Sequence, residues 1–100
     1  MATTPEGKVK TKVKKLLDQY GALHFSPMGT GYGVSGVSDI IALYKGRFIA
    51  IECKADEKKL PTELQKRFLQ RVIDWGGIGL IIHSGNINLL QDTMDILGEE

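Results

Sequence analysis

The stretch from Ser38 to Lys54, SDIIALYKGRFIAIECK, constrains this chain more than any other. Two apolar runs flank Lys45-Gly46, which reads as the loop of a β-hairpin. Strands apolar on both faces belong to a central sheet that is covered on each side. With a two-residue loop, positions whose numbers sum to 91 oppose each other, so Tyr44 meets Arg47, Leu43 meets Phe48 and Asp39 meets Glu52. A G1 bulge at Gly46 would shift that pairing by one residue.

The unshifted pairing sets two carboxylates side by side. Directly opposed side chains have Cβ atoms roughly 5 Å apart, and like charges there destabilise the pair. At an effective dielectric near 20 the repulsion is about 3 kcal/mol. A hairpin shaped by stability alone would avoid it. Side chains alternate between faces, so Lys54 shares a face with Glu52 while Cys53 points the other way. Asp39, Glu52 and Lys54 therefore gather on one face, with Ile41, Leu43, Phe48 and Ala50. Ile40, Ala42, Ile49, Ile51 and Cys53 share the opposite one. Two acids can chelate a hard divalent cation, and an amine beside them can orient or deprotonate a water. That is a hydrolytic site in outline. The plainer reading is two strand-end acids turned to water, with Lys54 as their counter-ion.

One hundred residues suit a single domain, residues 1–100, with an adequate core, and 42% hydrophobic with 25% charged residues argues against general disorder. The one cysteine excludes an internal disulfide framework and a cysteine-based zinc cage, which fits a reducing compartment. Cys53 reads as a small buried hydrophobe, since a thiol nucleophile would need an activating base. No apolar run reaches the roughly 18 residues that span a bilayer, and MATTPEGKVK lacks a signal-peptide core. The chain reads as cytoplasmic, with no membrane partner.

A net charge of +1 is uninformative, but its distribution is not. Five lysines and no acid lie between Lys8 and Lys15, a stripe that suits either a phosphate-tracking surface or a solvated helix face. Thr4-Pro5 starts a helix, Val9, Val13, Leu16, Leu17 and Tyr20 give it an apolar stripe, and Gly21 ends it. Glu6 suits the first turn and has Lys10 four residues on. Ala22 to Phe25 reads as a short strand.

Residues 27 to 37, PMGTGYGVSGV, form a loop with four glycines. Gly31 to Gly36 matches G-x-G-x-x-G, but that fingerprint requires a helix immediately after it, and a strand follows here. Gly31, Gly33 and Ser35 instead suit close approach to a nucleic-acid phosphate, and Tyr32 suits stacking on a base or over the turn itself. After the charged loop from Ala55 to Pro61, Thr62-x-x-Gln65 forms a capping box. It opens a helix with Leu64, Phe68, Val72 and Trp75 on one side and Lys66, Arg67 and Arg71 on the polar side. Gly79 to His83 is a fourth strand, and Asn86 or Asn88 caps a last helix. The order αβββαβα implies one α/β domain with a mixed central β-sheet flanked by helices.

Asp39 followed by Glu52-Cys53-Lys54 resembles the D…ExK signature of the PD-(D/E)xK nuclease superfamily, with Ser38 where proline often stands. The neighbours narrow the likeness: a first helix with Glu6, a Gly-rich loop into SGVSDI, then ECK, then Gln65 opening a helix before GLIIHS. That order resembles the virus-type replication-repair nuclease (VRR-NUC) domain over about Glu6 to His83. The resemblance implies a metal-dependent DNA endonuclease in which Asp39, Glu52 and the backbone carbonyl of Cys53 hold Mg²⁺ or Mn²⁺. It also implies that Glu6 completes the metal site, Lys54 serves the attacking water and Gln65 supports it. Lys8, Lys12, Lys15, Lys66, Gly31, Tyr32, Gly33 and Ser35 are the candidate DNA contacts. A homodimer acting on branched DNA such as a four-way junction is the further expectation. The alternatives are flap, nicking or end processing within the superfamily, and, from another class, a non-catalytic DNA-binding module.

Overall fold

In the computed structural model, residues 4–28 and 35–100 are described. Helix α1 spans Pro5–Tyr20, strand β1 Leu23–Phe25, β2 Ile40–Tyr44, β3 Arg47–Cys53, helix α2 Glu63–Asp74, strand β4 Ile78–Ile82 and helix α3 Ile87–Glu99. The four strands form one sheet in the order β1-β2-β3-β4. β1, β2 and β3 pair antiparallel, and β4 joins β3 in parallel through the α2 crossover. The expected αβββαβα order and mixed sheet are what the chain adopts.

The hairpin register is the unshifted one, from Tyr44↔Arg47 to Ile40↔Ile51. Lys45 and Gly46 both have positive φ, 49° and 78°. That is the type I′ geometry whose twist matches the flanking strands, so no bulge is needed.

Two cores result. On one face Ile40, Ala42, Ile49, Ile51 and Cys53 pack with Val9, Val13 and Leu17 of α1 and Leu90, Met94 and Leu97 of α3. On the other, Ile41 and Ala50 pack with Leu69, and partly buried Phe68, Val72 and Ile81 close around them. Both apolar faces of the hairpin are thus covered, though not to the same extent. α3 belongs to the first core, and the Tyr20 hydroxyl ties α1 to it by donating to the Asp95 carboxylate.

Local signals in the sequence act as expected at the helix starts. The Thr4 hydroxyl accepts from Gly7 N, and the Thr62-Gln65 capping box is complete on both sides. Three expectations need correction. Trp75 does not line the core: the helix ends at Asp74, Trp75 leaves the helical path, and it is 87% exposed. Asn86 stands at the start of α3 but does not cap it, because its side chain accepts from His83 N and donates to Ile81 O. β2 begins at Ile40 rather than Ser38, since the Asp39 carboxylate, and not a backbone carbonyl, accepts the Cys53 N–H at 2.8 Å.

Gly36 fixes how β2 meets α2. Its φ is 73°, and a Cβ there would lie 2.4 Å from the carbonyl carbon and oxygen of Leu64. Neither backbone can yield cheaply, so the loop entering β2 lies flat against the first turn of α2. Gly36→Ala is expected to destabilise the protein by about 2–3 kcal/mol, combining a left-handed backbone with a main-chain clash. Urea unfolding at constant m-value measures it, and a loss below about 0.5 kcal/mol would show that the contact yields freely.

Candidate active site

Asp39 and Glu52 meet at the end of the hairpin where β2 and β3 stop pairing, one step beyond Ile40↔Ile51. The strand register delivers Glu52 and the bend before β2 delivers Asp39. Glu52 is 1% exposed, and no N–H or O–H of the described residues reaches its buried Oε2. An uncompensated carboxylate in such a place costs several kcal/mol. Its neighbour is another carboxyl, that of Asp39, and keeping one of the two groups protonated relieves their repulsion.

Burial, the hydrogen bond to Asp39 and the negative charge of Asp39 push Glu52 up to about 9, against a smaller opposite pull from Lys54. Burial also acts to raise Asp39, but hydrogen bonds from the Glu52 carboxyl and Cys53 N–H, with the nearby Lys10 ammonium, overcome it and hold Asp39 below the usual aspartate value. Both shifts favour a neutral Glu52 beside an ionised Asp39. The expected opposition of two acids is therefore present, and it is resolved by keeping one of them neutral. A divalent cation would replace that proton, and a buried oxygen with no other donor is the donor set such a cation requires.

Lys10 was not among the residues singled out for the site. Its Nζ lies 3.4 Å from Asp39 Oδ1 and 3.5 Å from Glu6 Oε2. Burial opposes its charge, but Asp39 and Glu6 outweigh that and raise its pKa above the usual lysine value. The sequence signal was helical spacing: at 3.6 residues per turn, Glu6 and Lys10 fall on the sheet-facing side of α1 beside Val13 and Leu17. Lys8, Lys12 and Lys15 fall on the opposite side and are exposed. The lysine stripe is thus a surface separate from the carboxylates. Glu6 stands at the site's margin, paired with Lys10, and among the described residues no three His, Cys, Asp or Glu side chains converge. Its charge is spent on Lys10.

Lys54 stands just past β3, its N–H donating to Ile82 O at 2.9 Å and its ammonium close enough to lower the Glu52 pKa. Gln65 Oε1 accepts from Thr62 N–H at 2.8 Å, which leaves its amide N–H₂ to donate. Lys66 pairs with Glu63 at 3.3 Å. Ser35 is exposed in the turn before Gly36, whereas Gly31, Tyr32 and Gly33 lie outside the described residues. Cys53 is fully buried, and burial plus the negative charges of Asp39 and Glu52 push its thiol up to about 12, so it is no nucleophile. The two histidines are structural: His24 pairs with Asp18 at 2.6 Å, and His83 Nδ1 accepts from Gly85 N.

This fold with paired acids at the end of a hairpin is that of a nuclease-type α/β domain. The chain is similar to a solved structure of a VRR_NUC domain, with a TM-score of 0.71 and 27% identity over 99% of this chain and 98% of that one. The match agrees with the domain resemblance drawn from the sequence. No family model matches the chain, and no curated protein matches it.

Two outcomes follow from the neutral Glu52 and from Lys10. Because the folded-state pKa of Glu52 lies above its unfolded value of 4.5, its neutral form favours folding fully below that value. This contribution is lost as pH rises toward about 9. Glu52→Gln should therefore melt at least ~5 °C higher than the native protein at pH 8 in EDTA, and the gap should close near pH 5. Equal melting temperatures at pH 8 would show that Glu52 is not strained. Lys10→Met removes an ammonium that competes for Asp39 and should tighten Mn²⁺ binding by about twofold to fivefold, the scale of a partly exposed ion pair. Calorimetric titration without DNA measures this, and weaker binding would give Lys10 a supporting role instead.

Proposed function

We propose that this protein is a metal-dependent DNA endonuclease, hydrolysing a phosphodiester bond at the end of the β2–β3 hairpin. The observation that carries the reading is the buried Glu52 carboxyl beside Asp39, whose Oε2 has no hydrogen-bond donor among the described residues. A fold that needed only to bind DNA has no use for that arrangement. The nuclease-type domain found among solved structures supports it.

Asp39, Glu52 and the Cys53 carbonyl are the residues that would hold Mg²⁺ or Mn²⁺. Such a cation, when bound, acidifies a water and neutralises charge on the phosphate. Glu52 must release its proton first, so its neighbourhood couples cation binding to pH. Lys54, on the same face as Glu52, orients the attacking water and faces the phosphate with positive charge. The Gln65 amide N–H₂, fixed by the capping box, donates to a water or a phosphate oxygen. Gly36 presses the first turn of α2 against the entry to β2, which sets where Gln65 stands. The water oxygen bonds to phosphorus, the opposite P–O bond breaks, and the leaving oxygen takes a proton. One end is left as a hydroxyl and the other as a phosphate monoester.

The substrate in this reading is branched DNA, and a homodimer with two such sites would cut opposed strands of a symmetric junction. Labelled linear, flapped and four-way DNA incubated with Mg²⁺, Mn²⁺ or EDTA tests activity, cation and substrate class together. Asp39→Asn and Lys54→Ala should each lower cation-dependent cleavage by about 10²-fold or more while leaving the circular dichroism spectrum unchanged. Unchanged cleavage by Lys54→Ala would remove it from the reaction. No cleavage of any substrate by the folded native protein would return the chain to a DNA-binding role.

A further inference from the structure

Helix α1 carries lysines on two sides. Lys8, Lys12 and Lys15 stand exposed on its outer side, whereas Lys10 is half-buried and its ammonium is shared between Asp39 Oδ1 at 3.4 Å and Glu6 Oε2 at 3.5 Å. Both separations exceed the roughly 2.7–2.9 Å of a charge-assisted hydrogen bond, and all three side chains are partly open to water, so neither pair is tight. The other oxygen of Asp39, Oδ2, has a firmer partner in the Cys53 N–H at 2.8 Å. Lys10 thus rests on the Asp39 oxygen that is freer to take a cation.

We infer that Lys10 is a conditional DNA contact: it lies against Asp39 when that carboxylate holds no cation, and turns to a phosphate of the bound DNA when Asp39 serves one. The inference rests on the nuclease reading above. Two ammonium groups flank the paired acids, Lys10 beside Asp39 and Lys54 acting on Glu52. With the two acids neutralised by a divalent cation, Lys10, Lys54 and Glu6 leave a local balance of +1, which complements the single negative charge of a phosphodiester. Lysine suits such an exchange. Its charge is compact and sits on a flexible four-carbon stem, so rotation of the side chain is enough to move it from a carboxylate to a phosphate oxygen. A lysine present only to hold Asp39 would behave differently, because its loss would leave DNA affinity unchanged once a cation had replaced it.

Fluorescence anisotropy with labelled four-way DNA, in EDTA and in saturating Ca²⁺, tests the inference through binding alone, since Ca²⁺ takes the same oxygen ligands. In EDTA, Lys10→Met should bind within about twofold of the native protein. In Ca²⁺ at about 0.1 M salt it should bind about fivefold to tenfold more weakly, and the slope of log affinity against log salt should flatten by about 0.9, the loss of one phosphate contact. Lys10→Arg, which keeps the charge, should recover most of the Ca²⁺ affinity. Equal losses in EDTA and Ca²⁺ would make Lys10 a structural support or one more member of the lysine stripe, and no loss in either would leave it a counter-ion of Asp39. Each result overturns the inference. Failure of the nuclease reading is seen in the native protein alone, as DNA affinity that Ca²⁺ does not raise and no cleavage in Mg²⁺ or Mn²⁺, and it would take this inference with it.

Discussion

A carboxyl group buried to 1% exposure against a second carboxyl is the constraint around which this fold is arranged. Two like charges at the end of a hairpin would push its strands apart, and the protein does not pay that cost by solvating them. It holds Asp39 ionised with the Cys53 N–H and Lys10, and keeps Glu52 protonated. The strand register, the bend before β2 and the sheet-facing side of α1 all converge on that one pair.

The surrounding architecture holds the pair rigid. The type I′ turn at Lys45-Gly46 fixes the register, and a slip of one residue would send Glu52 to the α1 side and Cys53 to the site. Parallel pairing with β4 covers β3 and continues to Lys54, whose backbone is held by Ile82. Gly36 joins the other side of the site to α2. Asp39 and Glu52 are thereby brought together from two segments, with Lys10 of α1 beside Asp39 and the Lys54 charge acting on Glu52.

The same economy leaves a debt on the far half of the sheet. One hundred residues supply three helices, and two of them cover the face opposite the acids. α2 is short and sits over β3 and β4, so it covers Ile41 of β2 but leaves Leu23, Phe25 and Leu43 exposed on its side.

The hairpin, its register, the facing acids and both helix caps could be read from the sequence, because each depends on local rules: alternation along a strand, two turn residues, and hydroxyl or amide capping. Lys10 could not, since its role depends on the tilt of α1 against the sheet, a packing outcome that helical spacing alone does not fix. The same holds for Trp75, whose place on the apolar stripe is lost because the helix ends one residue earlier. What the sequence by itself determined is which residues could carry the chemistry. Only the tertiary structure decided that burial favours a neutral Glu52, that Glu6 pairs with Lys10, and that part of one sheet face is left exposed. Charge state and exposure depend on every element packed around a group, and no local pattern contains that sum.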